Sequence, residues 1–235
     1  MGYSFESRVR FSEAGEDQCL TLPGIMDYFQ DCCTFQADSI NQGQRELSKR
    51  GRVWVLSSWQ VVVNRYPAYG ESIITTTYPY SLRGFLGLRN FSMDTPQGER
   101  LALANSCWSF LDIHTGFPAR LTETDLEGYV LDEKLDMEYA PRKIEVPNDL
   151  AEQEPFEVQK HHLDSNHHVN NCQYVHLAMD YLKEGTRVKQ IRAEYKMQGR
   201  LGDVFYPSVS IKEHGAVVVF YNEVKNPYFI AEYLY

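Results

Sequence analysis

Polar and apolar residues alternate from the start of the chain. Tyr3, Phe5, Ser7, Val9 and Phe11 lie on one side, and Ser4, Glu6, Arg8 and Arg10 on the other, which predicts a half-buried strand. The pattern then changes period. Over residues 22–37, Ile25, Met26, Phe29 and Cys33 make an apolar stripe, Thr21 can cap and Pro23 suits a first turn, which predicts a helix. Stretches rich in β-branched and aromatic residues at 53–65, 71–80, 86–93 and 101–113 predict four strands, the last two joined by a turn at Thr95-Pro96-Gln97-Gly98.

The same order then returns. A strand is predicted at 156–160, a helix at 171–183, and strands at 188–197, 204–213, 216–224 and 228–234, with His214-Gly215 and Asn226-Pro227 as turns. A shift of 149 residues lays Val9 on Val158, Leu20 on Val169 and Ile25 on Tyr174. A shift of 132 lays Trp59, Val61 and Val63 on Ile191, Ala193 and Tyr195, and Gly70-Glu71 on Gly202-Asp203. The difference places about 17 extra residues in the first copy, near 38–52. A repeated β–α–β–β–β–β unit predicts an α+β chain with two antiparallel sheets, each wrapped around a long helix. The expected division is a first domain over 1–135, a charged, proline-containing linker over 136–154, and a second domain over 155–235.

Composition narrows the function. At 235 residues with 43% hydrophobic content, the chain has material for a buried core, and no apolar run is long enough to span a membrane. The N-terminal residues lack a basic start followed by an apolar run, so no secretory signal is expected. Five cysteines without framework spacing suit a reducing compartment, and the cytoplasm is the expected location. A net charge of −9 argues against nucleic acid as a partner.

The candidate chemistry is concentrated in HHLDSNHHVNNCQYVH, residues 161–176, which holds five of the seven histidines. Asp164, Asn166 and His168 occupy alternate positions, and an extended approach to the helix would point them the same way. The helix begins near Asn170 or Asn171. Its unpaired N–H groups and positive end, around Val169 and Asn170, would face whatever binds there. A carboxylate, a carboxamide, an imidazole and backbone donors are the parts needed to add water to a carbonyl. A plainly capped helix start would use the same residue types.

The run Asp164-x-Asn166-x-His168-Val169-Asn170-Asn171-x-x-Tyr174 resembles the active-site motif of the acyl-acyl carrier protein thioesterases. Trp54-Val55-Leu56, Arg65-Tyr66-Pro67 with Gly70-Glu71, and Trp108 resemble that family's N-terminal half. The resemblance implies a double hot-dog fold, hydrolysis of fatty acyl-carrier thioesters and no cofactor or metal. It also implies acyl carrier protein as partner. The residues leave the oligomer open, and a homodimer is the state to look for. Carried over, Asp164 is the base or nucleophile, His168 orients water or shuttles a proton, and Asn166 positions substrate or water. Asn171 joins Val169 and Asn170 at the carbonyl. The family's further acidic residue falls on Gln198 and its neighbouring cysteine on Gly199, so that base is missing. The first half has Gly15, Asp17 and Cys19 where the second has Asp164, Asn166 and His168, and reads as the acyl-binding half.

Other readings share these residues. His161, His162, Asp164, His167 and His168 are all possible metal ligands, but adjacent histidines diverge in extended chain. Cys172 is a candidate thiol at the helix start. An acyl-CoA thioesterase, a non-catalytic acyl-thioester sensor and a hydratase on the same fold remain as alternatives. The inserted segment 38–52 is expected to form a short helix carrying Arg45, Lys49, Arg50 and Arg52, a basic cluster suited to docking an acidic carrier.

Overall fold

The structure, a computed structural model, describes residues 2–235. The chain forms two compact units, one of residues up to Ser57 with Val61–Tyr139, the other of Ser58–Gln60 with Ala140–Tyr235. The segment read as a linker is shared between them. Ile144, inside it, is buried against Val219 and Ile230 of the second unit.

The first unit contains β1 (Tyr3–Arg8), α1 (Leu22–Ser39), α2 (Gln44–Lys49), β2 (Arg52–Val63), β3 (Ser72–Arg83), β4 (Leu86–Asp94), β5 (Arg100–Asp112) and the four-residue α3 (Glu123–Leu126). Its strands run in the order β1-β3-β4-β5-β2. Thr21 caps α1 as expected, its Oγ1 accepting from the Gly24 N–H at 3.1 Å. Ile25, Met26, Phe29 and Cys32 of α1 are fully buried, and the Phe29 ring meets Phe91 of β4 at 5.3 Å. β1 is shorter than the alternation predicted. Val9 donates to Glu71 O and accepts from the Gly70 N–H, and the chain then enters a 3₁₀ turn at Phe11–Glu13, leaving Phe11 80% exposed. The Arg65 motif is a clamp, since its guanidinium grips both Glu71 and Glu99. The ring of Trp54 packs on Phe110 and over Gly87.

The second unit contains β6 (Ala151–Glu152), β7 (Phe156–Glu157), α4 (Asn171–Met179), β8 (Gln190–Tyr195), β9 (Val204–Ile211), β10 (Gly215–Tyr221) and β11 (Pro227–Leu234). Its strands run β8-β11-β10-β9-β6, with β7 on β9. Helix α4 ends four residues before the predicted 183. Past Met179 the backbone tightens into i→i−3 bonds, Tyr181 N to Ala178 O and Leu182 N to Met179 O, and the Tyr181 ring turns toward Phe220. A nine-residue helix is marginal alone. Here Tyr174 stacks between Phe205 and Phe229, with centroids at 5.6 and 5.2 Å, and anchors it to the sheet.

The two units repeat at the level of individual bonds. Val9, Leu20 and Ile25 are buried, and so are Val158, Val169 and Tyr174. Leu20 N donates to Pro67 O and Val169 N to Gly199 O, each at 2.8 Å. Gly70 N reaches Val9 O and Gly202 N reaches Val158 O, both glycines at positive φ as their tight turns require.

Candidate active site

The loop leading into α4 is not the extended approach the sequence suggested. Asp164 N donates to His168 O at 2.8 Å and His167 N to Asp164 O at 3.1 Å, with His167 at φ +60, so residues 164–168 close a tight turn. The Asp164 carboxylate folds over that turn. Its Oδ1 accepts from the Asn166 and His168 N–H groups at 2.8 and 3.3 Å, and Oδ2 from the Asn166 carboxamide at 3.4 Å. Asp164 and His168 are half-buried and Asn166 is exposed. The turn gathers the three side chains on one small loop by a route that alternation does not describe.

The first unit has the same loop. Gly15 N donates to Cys19 O and Gln18 N to Gly15 O, Gln18 sits at φ +58, and Thr21 N donates to Glu13 O as Asn170 N does to His162 O. Glu13 closes its preceding 3₁₀ turn through the Arg10 N–H, and His162 does so in the second unit, its Nδ1 accepting from the Gln159 N–H at 3.0 Å. His162 is therefore a structural cap, with a lone pair already used. Among the described residues no group of three or more His, Cys, Asp or Glu side chains is arranged to hold a metal.

The backbone donors differ from expectation. The Val169 N–H is given to Gly199 O and that of Asn170 to His162 O, while Asn170 Oδ1 caps α4 through the Cys172 N–H at 2.7 Å. Val169 and Asn170 thus have no N–H left for a carbonyl. Asn171 opens the helix and its C=O accepts from the Tyr195 hydroxyl at 3.0 Å. Cys172 is buried in the helix. Tyr174 reaches across, its hydroxyl accepting from the Gly199 N–H at 2.7 Å.

Electrostatics favour a neutral imidazole. His168 is held below the ordinary histidine value, first by burial and then by the nearby positive charge of Arg200, with Asp164 opposing. Gln198 is exposed beside buried Gly199. Glu194, 3% exposed, accepts from the Ile144 N–H at 2.6 Å and pairs with Lys196, so it does not substitute for the missing acid.

The segment 38–52 forms the short helix expected, α2 after Gly43, with Leu47 buried. Its cations are mostly committed within the first unit. Lys49 pairs with Glu46 at 2.6 Å, Arg50 with Asp125 at 3.1 Å and Arg52 with Asp112 at 2.5 Å. Arg45 is exposed and makes no ion pair among the described residues. Arg50 also reaches Gln42 and Thr124 O, and Asp125 is 6% exposed. Arg50→Met is expected to lower stability by about 1–3 kcal/mol, because it strips one partner from a buried carboxylate. A urea titration at neutral pH measures this, and an unchanged midpoint would mean the pair contributes nothing.

One buried group was not anticipated. Arg89 on β4 is 8% exposed, donates to Gln36 of α1 and, at 2.9 Å, to Thr77, and lies 5.9 Å from the Tyr129 ring. Its inward parity with Phe91 and Met93 was the available signal.

Each unit, an antiparallel sheet with one helix on its face, is a hot-dog, and the chain is a double hot-dog. Family models for the acyl-ACP thioesterase N-terminal and C-terminal domains match residues 2–129 and 145–225, and the chain belongs to the acyl-ACP thioesterase family. Among curated relatives, the palmitoyl-acyl carrier protein thioesterase of Cuphea hookeriana is 28% identical over 184 residues, covering 71% of this chain and 43% of its own length. That of Arabidopsis thaliana is 24% identical over 208 residues, covering 81% and 50%. Both are chloroplastic, and the chain spans about half the length of the curated relatives it matches. Two solved structures share the fold. An acyl-ACP thioesterase from Bacteroides thetaiotaomicron has a TM-score of 0.87 at 18% identity, covering 98% of this chain and 96% of that one. The 12:0-ACP thioesterase from Umbellularia californica has a TM-score of 0.87 at 17% identity, covering 99% and 96%.

Proposed function

We propose that this chain hydrolyses fatty acyl thioesters of acyl carrier protein, releasing the free acid and the carrier thiol. One observation carries the reading: in a chain of this family, two loops built on the same backbone bonds differ in cargo. One holds Asp164, Asn166 and a neutral His168 where the other holds Gly15, Asp17 and Cys19.

In this reading water attacks the thioester carbonyl while the His168 imidazole takes its proton. The tetrahedral adduct collapses by breaking the C–S bond, and the imidazolium returns the proton to the departing thiolate. Asp164 fixes the turn through Oδ1 and favours the imidazolium as it forms, and Asn166 positions substrate or water. Gln198 can hold the water but cannot take its proton. The first unit, with α1 over its sheet, is the acyl-binding half. Arg45 is the cation of the basic segment still available to an acidic carrier.

Five cysteines, none in a disulfide, fit a reducing compartment, and we place the protein in the cytoplasm. No helix among the described residues is long and apolar enough to cross a membrane.

Catalysis needs neutral His168, so activity is present above its folded pKa and falls as pH drops through it. Because that pKa is lowered, the acid limb of kcat/KM is expected at a pH below the usual histidine value of about 6.5. A profile of thiol release against pH measures it; an acid limb above that value would remove His168 as the base. A sensor that binds without turnover is the second reading, favoured by Gln198 in place of a carboxylate, and turnover itself separates the two.

A further inference from the structure

The loop that carries His168 has no backbone donor at Val169 or Asn170 for a developing oxyanion, because both N–H groups are spent. A tetrahedral adduct in a partly buried site needs donors that are in place before charge appears. The turn facing the loop supplies a candidate.

That turn, residues 200–203, is the second-unit copy of 68–71. Asp203 N donates to Arg200 O at 3.0 Å, and Arg200 N to the Asp203 carboxylate at 2.8 Å. In the first unit Glu71 N donates to Ala68 O at 3.0 Å, and Ala68 N to the Glu71 carboxylate at 2.8 Å. The turn therefore forms with alanine at this position, and folding does not require the arginine side chain. In the first unit Cys19 and Ala68 are bridge partners. The repeat puts His168 and Arg200 in those two places, and the Val169 N–H to Gly199 O bond at 2.8 Å, the copy of Leu20 N–H to Pro67 O, joins their immediate chain neighbours. The cation thus occurs in the copy that has the histidine and is absent from the copy that has cysteine.

The Arg200 side chain is exposed and makes no ion pair among the described residues. The closest acid in sequence, Asp203, is engaged with the Arg200 backbone N–H and with Tyr228. The charged and titratable groups acting on His168 are Arg200, Asp164 and His167, and Arg200 has the largest effect of the three. A guanidinium offers five N–H donors and stays charged throughout the working pH range.

We propose that Arg200 is a catalytic residue, its guanidinium donating to the carbonyl oxygen of the bound acyl thioester as negative charge develops there. The assignment rests on the hydrolase reading above. After burial, the same guanidinium also lowers the pKa of the imidazole, so one residue acts on both the oxyanion and the base.

The test uses Arg200→Gln and Arg200→Lys in the full chain, with acyl-thioester hydrolysis and the NMR titration of His168 as readouts. Arg200→Gln is expected to lower kcat by about 10²-fold, the loss usual for one oxyanion donor, with KM little changed. His168 should titrate at higher pH in the same variant, moving the acid limb of kcat/KM upward. Arg200→Lys should recover part of kcat and return the titration toward wild type. A wild-type enzyme that turns over, beside an Arg200→Gln variant of equal kcat, would overturn the Arg200 assignment and leave the hydrolase reading standing. A His168 titration that does not move would separate the two side chains and overturn it as well. A wild-type protein that releases no thiol from any acyl thioester would instead remove the hydrolase reading itself.

Discussion

His168→Ala is expected to lower kcat by about 10²–10⁴-fold while the melting temperature stays near that of wild type. The His168 backbone, through its N–H to Asp164 and its C=O from Asp164, holds the turn, and alanine keeps both bonds. Among the described residues the imidazole makes no structural hydrogen bond; it is half-buried, and burial first, then Arg200, lowers its pKa. What the substitution removes is the acceptor for the water's proton. Thiol release under saturating substrate measures the effect, with a thermal melt as the control for folding. A variant that melts normally and turns over at the wild-type rate would show that the imidazole takes no part.

Asp164 separates charge from architecture. Asp164→Asn retains an oxygen able to accept from the Asn166 and His168 N–H groups, so the turn should persist, and kcat should fall by about 10²–10⁴-fold for loss of the carboxylate. Asp164→Ala removes the acceptor as well. It should lose activity at least as severely and also about 1 kcal/mol of stability, since two N–H groups exchange a carboxylate for water. At this chain length that is a fall of about 2–4 °C in Tm. Paired melts and thiol-release rates for the two variants test the division. Equal stability of the two would mean that the carboxylate does not organise the turn, and a fully active Asp164→Asn would remove the charge from the mechanism.

The repeat was legible because it lives in the sequence. Positions such as Val9 and Val158, or Leu20 and Val169, are buried and alike whatever surrounds them, so a fixed shift finds them. The three side chains at 164, 166 and 168 were legible as a dense polar run before an apolar helix. Their conformation was not, because it depends on Asp164 folding back onto its own backbone and on His167 adopting a positive φ, which alternation cannot encode. The same holds for the backbone donors. The partner of the Val169 N–H, Gly199 O, lies 30 residues downstream, and a local reading of a helix start counts that N–H as unpaired. The ion pairing of the basic segment was hidden for the same physical reason, since Asp112 and Asp125 pair with Arg52 and Arg50 from more than fifty residues away. Short-range periodicity reports which face a residue takes, whereas pairing across the fold decides whether its charge or N–H remains available.

Turnover of a carrier-linked acyl thioester is expected at the loop of Asp164, Asn166 and His168. Its most direct test is multiple-turnover thiol release from acyl carrier protein loaded with saturated acyl chains of several lengths, with wild type and His168→Ala compared. The expected result is sustained release well beyond one thiol per chain on at least one substrate, reduced by about 10²–10⁴-fold in the variant. Binding without release beyond one equivalent, or release that His168→Ala leaves intact, would contradict it.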